Sequence, residues 1–168
     1  MKLLLGTTLI ACLLGICVDM VTAHVAVEYF SVHHPHVIDS QAPWALALAW
    51  GVGASWWFGA IGGAVLLAVR SRVANPPSDR ELLKSVAIAC AAIWATMISV
   101  LLGVYAIASL VPLSKRTGDF ESNRRLMAVA IAHENEYILG ALALIVLCVG
   151  MIRRSRKHER LGPGRADA

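Results

Sequence analysis

Four long apolar runs dominate the chain: Leu3 to about Phe30, Pro43 to Val69, about Ser78 to Val111, and Leu126 to Ile152. Each is longer than the roughly twenty residues that an α-helix needs to cross a ~30 Å hydrocarbon layer. A backbone in lipid must satisfy its hydrogen bonds internally, so these runs predict helices. The expected fold is an all-α integral membrane bundle of four transmembrane helices over about 3–30, 43–69, 79–111 and 126–152, forming one domain across 1–152. Residues 153–168 read as a basic cytoplasmic tail, expected to be disordered.

Punctuation supports these boundaries. Pro43 suits the first position of the second helix. Ser78-Asp79-Arg80-Glu81 follows Asn75-Pro76-Pro77 and reads as a capping box that starts the third. Pro112 is placed to end that helix, and Leu113 to Arg125 form a polar loop. The first run can also be read as a signal peptide, with Val21-Thr22-Ala23 resembling a cleavage site. Its length favours a retained helix.

Orientation follows from where the basic residues fall. With the N-terminus inside, Lys2, the 70–84 connection and the tail place eleven Lys/Arg in the cytoplasm, and Lys115, Arg116, Arg124 and Arg125 place four outside. The positive-inside rule selects this topology, with both termini cytoplasmic. Trp44, Tyr29 and Tyr105 then fall near the outer interface.

Composition agrees with a membrane location. Of 168 residues, 58% are hydrophobic and 15% charged, with a mean hydropathy of +0.66. A soluble domain carries about 25% charged residues. The net charge of +4 arises from basic residues flanking apolar runs, which fits anionic lipid rather than nucleic acid. Cys12, Cys17, Cys90 and Cys148 all lie within apolar runs, so no disulfide framework is implied. The Ala/Gly/Arg-rich composition suggests a bacterial cytoplasmic (inner) membrane.

Polar residues inside the runs carry the candidate chemistry. Asp19 and His24 fall roughly 24 Å and 31 Å along the first helix, while Glu136 and His133 fall roughly 24 Å and 28 Å from the inner end of the fourth. Two helices thus present an imidazole and a carboxylate at matching heights. Glu28 follows His24 at i,i+4, and Glu136 follows His133 at i,i+3. A short echo, Ala-His-x3-Glu-Tyr at 23–29 and Ala-His-x2-Glu-Tyr at 132–137, marks the same two places.

Imidazole and carboxylate together suit Fe, Zn, Mn or Cu. The expected metal site is His24, Glu28, His133 and Glu136, in a redox or metal-handling role at the outer membrane face. Asp19, Glu134 and the loop histidines His33, His34 and His36 are weaker candidates. At 100° per residue Asp19 lies roughly 140° around its helix from His24, so both cannot face one centre on a regular helix. No HExxH motif and no paired ExxH motif is present. The same residues also suit helix ends, interfacial water or pairing with Arg124 and Arg125.

Two alternatives stand beside the metal reading. In one, His24 and His133 are axial ligands of a haem b. In the other, the protein is a non-enzymatic subunit or assembly factor with a membrane-protein partner, or a homo-oligomer. Gly51, Ser55, Gly59 and Gly63 recur every four residues, and such a stripe lets a neighbouring helix approach closely. Trp50, Trp57 and Trp94 read first as packing bulk. No hydrolase triad or phosphate-binding loop is present.

Overall fold

The computed structural model describes residues 1–110 and 120–161, and every regular element among them is an α-helix. In chain order these are α1 (Lys2–Val25), α2 (Val27–Ser31), α3 (Pro43–Arg70), α4 (Asp79–Leu110) and α5 (Phe120–Leu161). Helices α1, α3, α4 and α5 are each long and apolar enough to cross a membrane. Their outward surfaces fit such a setting: Leu9, Leu102 and Val146 are each more than 60% exposed.

The first apolar run is not one continuous helix. Ala26 adopts φ −144°, ψ 84°, which ends α1 and redirects the chain into the short α2. This break moves Tyr29 and Phe30 over the end of the bundle that carries the 31–42 connection. There Phe30 is buried with Ala23, Leu46 and Ala47.

Helix α1 packs most extensively against α3, and the small-residue stripe explains why. A Cβ on Gly51 would lie 2.6 Å from the backbone N and Cα of Ile16, and one on Gly59 would lie 2.8 Å from the Thr8 Cα. Ser55 and Gly63 are buried along the same line. Dispersion contacts depend steeply on distance, so direct backbone approach is the main gain from this stripe. It is taken up within the chain and is not a face left open for a partner.

The opposite end is braced by polar contacts. The Ser78 amide donates to Glu81 Oε2 at 2.8 Å and the Glu81 amide donates to Ser78 Oγ at 3.2 Å, closing the capping box that starts α4. Arg70 pairs with Asp79 across the connection. Leu3, Leu66, Leu82 and Met151 form the apolar core beneath.

At this end the structure differs from the sequence expectation. Helix α5 runs on to Leu161, so 153–161 are helical where a disordered tail is expected; residues 162–168 lie outside the described residues. Ser155, only 6% exposed, accepts a hydrogen bond from the Ala74 amide at 2.9 Å. This tertiary bond gives the polar extension a reason to stay helical. The expected stop at Pro112, and Lys115 and Arg116 with it, also lie outside the described residues.

Candidate functional site

Helix α1 brings two polar side chains inward, one turn apart. Asp19 is 4% exposed, and Thr22 is fully buried with its hydroxyl donating to the Val18 carbonyl at 3.1 Å. Helix α5 meets them with His133 and Glu136. The His133 ring lies between two acids: Nε2 is 3.4 Å from Asp19 Oδ1, and Nδ1 is 3.9 Å from Glu136 Oε2. Nε2 also lies 3.1 Å from Thr22 Oγ1.

Thr22 Oγ1 lies 3.1 Å from both the Val18 carbonyl and His133 Nε2. When its proton goes to Val18, it accepts from an Nε2–H, and the neutral ring then turns Nδ1 toward Glu136 as an acceptor. One imidazole edge faces each carboxylate. Both acid gaps exceed hydrogen-bond length, so transfer across either needs a small closing movement.

Aromatic side chains fix the ring. Tyr29 stacks on His133 at 5.1 Å, and Phe30 meets it edge-on at 5.7 Å. His34, from the loop, donates from Nδ1 to the Tyr29 carbonyl at 2.7 Å and packs edge-on against Trp50. Trp57 and Tyr137 lie parallel, 6.3 Å apart. Together these groups line an open cavity of about 380 Å3 that reaches from His34 at the 31–42 connection to Asp19, His133 and Glu136. Small residues on both main walls, Gly15 on α1 and Gly53 and Ala54 on α3, leave the space open.

Glu136 stands at a boundary. Together with Ser55 and Tyr137 it also lines a second cavity of about 90 Å3, whose remaining wall is almost wholly apolar and includes Leu14, Phe58, Ile93 and Leu144. The polar space thus ends at Glu136, and apolar packing begins.

The quartet expected from the sequence is divided into two pairs. His133 and Glu136 face the polar cavity. His24 is exposed, with Nδ1 2.6 Å from the Met20 carbonyl, and lines a different cavity with Leu101, Leu102, Tyr105 and Arg125. Glu28 lies 3.7 Å from Arg125 on that same side. Helical geometry separates them: α1 aims Asp19 at α5, so His24, five residues on, points elsewhere. Glu134, His33 and His36 are exposed and outside the cavity.

No group of three or more His, Cys, Asp or Glu among the described residues has the geometry to hold one metal ion. Around His133 the reason is visible, because its two nitrogens address different carboxylates from opposite edges of the ring. His24 and His133 open into different cavities.

Sequence reasoning kept Asp19 only as a weaker candidate and did not find Thr22, Tyr29, Phe30, Trp50, Trp57 or Tyr137 as site residues. Two signals point to some of them. Asp19 and Thr22 share a helix face at i,i+3, and the His/Glu/Tyr echo ends at Tyr29 and Tyr137, both of which line the cavity. No family model, curated protein or solved structure matches the chain, so the cavity around His133 is the ground on which its function must be read.

Proposed function

We propose that the chain is a multipass protein of the bacterial inner membrane, with both termini cytoplasmic and the 31–42 connection outside, and that it exchanges protons between its outer face and the Asp19–His133–Glu136 chain. The observation that carries this reading is the His133 ring, held between two carboxylates inside the bundle. Ionisable groups at membrane depth are costly and mark pathways or relays. A neutral imidazole with one donor edge and one acceptor edge can take a proton on one side and release one on the other. The cavity supplies the route from outside, and the apolar space beneath Glu136 blocks continuation inward. This arrangement suits a half-pathway that loads and unloads from one face. The positive-inside count supports the orientation.

Infrared difference spectroscopy of the purified protein tests the relay. A carboxyl C=O band should respond to bulk pH in the wild type and shrink in both Asp19→Asn and Glu136→Gln. A difference spectrum unchanged in the double variant overturns the proposal.

A metal-handling role is a second reading; it would draw on His133 and Glu136, the two expected ligands that share the polar cavity. It requires a rearrangement, since no three such groups among the described residues are set to hold one ion. Elemental analysis then finds metal in the wild type and in His24→Ala, and none in His133→Ala. The subunit reading has less support, because the Gly51/Gly59/Gly63 stripe is filled by α1.

A further inference from the structure

The walls of the polar cavity hold more aromatic surface than a proton path requires. Tyr29, Phe30, Trp50, Trp57 and Tyr137 all contribute, from α2, α3 and α5, while Asp19 and Glu136 supply the acidic groups. Aromatic faces carry negative quadrupole density and attract cations, most strongly when water is excluded. A space lined by aromatic rings, with two carboxyl groups at its base, is matched to a ligand with a diffuse positive charge. At about 380 Å3 it lies toward the small end of ligand sites, which span roughly 300–1,000 Å3.

We propose that this cavity binds a small organic ammonium compound, its cationic head among Tyr29, Trp50, Trp57 and Tyr137 and its charge countered by Asp19 and Glu136. The inference rests on the reading of the cavity as an outward-facing working site, and it adds the class of solute. Hydrated metal ions and protons do not require aromatic walls. A purely apolar ligand would leave both carboxyl groups without a counter-charge.

Choline is the probe, with two comparison compounds: tetramethylammonium, a second small cation, and the neutral choline isostere in which carbon replaces nitrogen. Binding to the full-length protein in nanodiscs is measured by calorimetry and by tryptophan fluorescence. Choline and tetramethylammonium are both expected to bind, with no detectable binding of the neutral isostere. Trp50→Leu should weaken choline binding by roughly two- to thirty-fold, the range of one cation–π contact. Equal binding of the neutral isostere overturns the proposal, as does failure of both ammonium probes to bind at millimolar concentration. These wild-type comparisons decide the matter even if a variant does not fold. The infrared response separates this inference from the relay: choline binding without that response removes the relay alone, and the response without choline binding removes the ammonium site alone.

Discussion

Asp19 Oδ1 on α1 stands 3.4 Å from His133 Nε2 on α5, with both side chains largely withdrawn from the surface. The contact links the first and last long helices near the 31–42 end, where Val18, Ala128, Val129 and Ala132 pack around it. The helical-wheel argument that Asp19 and His24 cannot share one centre therefore holds. The structure resolves it in favour of Asp19, with His24 left outside.

Removing the imidazole leaves two acids facing an empty space. His133→Ala is expected to destabilise the protein by about 1–3 kcal/mol, the cost of leaving buried hydrogen-bonding partners unmet. His24→Ala, at an exposed position, should stay within about 0.5 kcal/mol. Chemical denaturation in mild detergent, followed by circular dichroism, checks the contrast; equal losses in the two variants would contradict the assigned geometry.

The close approach of α1 and α3 makes a different demand. In Gly51→Ala the new methyl group meets the Ile16 backbone at 2.6 Å, and such overpacking costs about 1–3 kcal/mol. At Gly103 no atom lies within 4 Å of an added Cβ, so Gly103→Ala should be neutral or stabilising by up to about 1 kcal/mol. Thermal unfolding of the two variants should shift in opposite directions or by clearly different amounts.

Ser155 ties the α5 extension to the 71–78 connection through the Ala74 amide. Ser155→Ala should cost about 0.5–1.5 kcal/mol and loosen that connection. Limited trypsin digestion reads this directly, as faster cleavage after Arg72 in the variant than in the wild type. Unchanged cleavage would mean that the bond does not restrain the connection.

Orientation is open to a labelling test. With the four native cysteines replaced by alanine, a cysteine at His36 should react with a membrane-impermeant maleimide added to intact cells. One at Arg156 should react only after permeabilisation. The reverse pattern would invert the proposed topology and remove the outward route to His133.

Much of the architecture was legible because it depends on local composition. Uncharged runs of sufficient length, a proline at Pro43 and the Ser78–Glu81 pair mark helices without reference to any partner. The Gly51/Ser55/Gly59/Gly63 spacing identifies a close-packing face for the same reason. What that face packs against is a tertiary matter, and here it is α1 of the same chain.

The candidate site was legible only in part. Matching depths on two helices drew His133 and Glu136 out of the sequence, because height follows from residue count. Azimuth does not follow in the same way. The rotation of α1 against α5 decides that Asp19 and Thr22 face His133, while His24 and Glu28 lie on the side of Arg125.

The sequence by itself thus determined four apolar helices, their approximate limits and the height of the ionisable groups. These properties come from hydropathy and from a fixed rise per residue. Only the tertiary structure decided which of those groups meet, that aromatic side chains from α2, α3 and α5 line the space around them, and that α5 continues past Ile152. Each of these depends on the rotation and contact of helices distant in sequence, which periodicity along one chain does not encode.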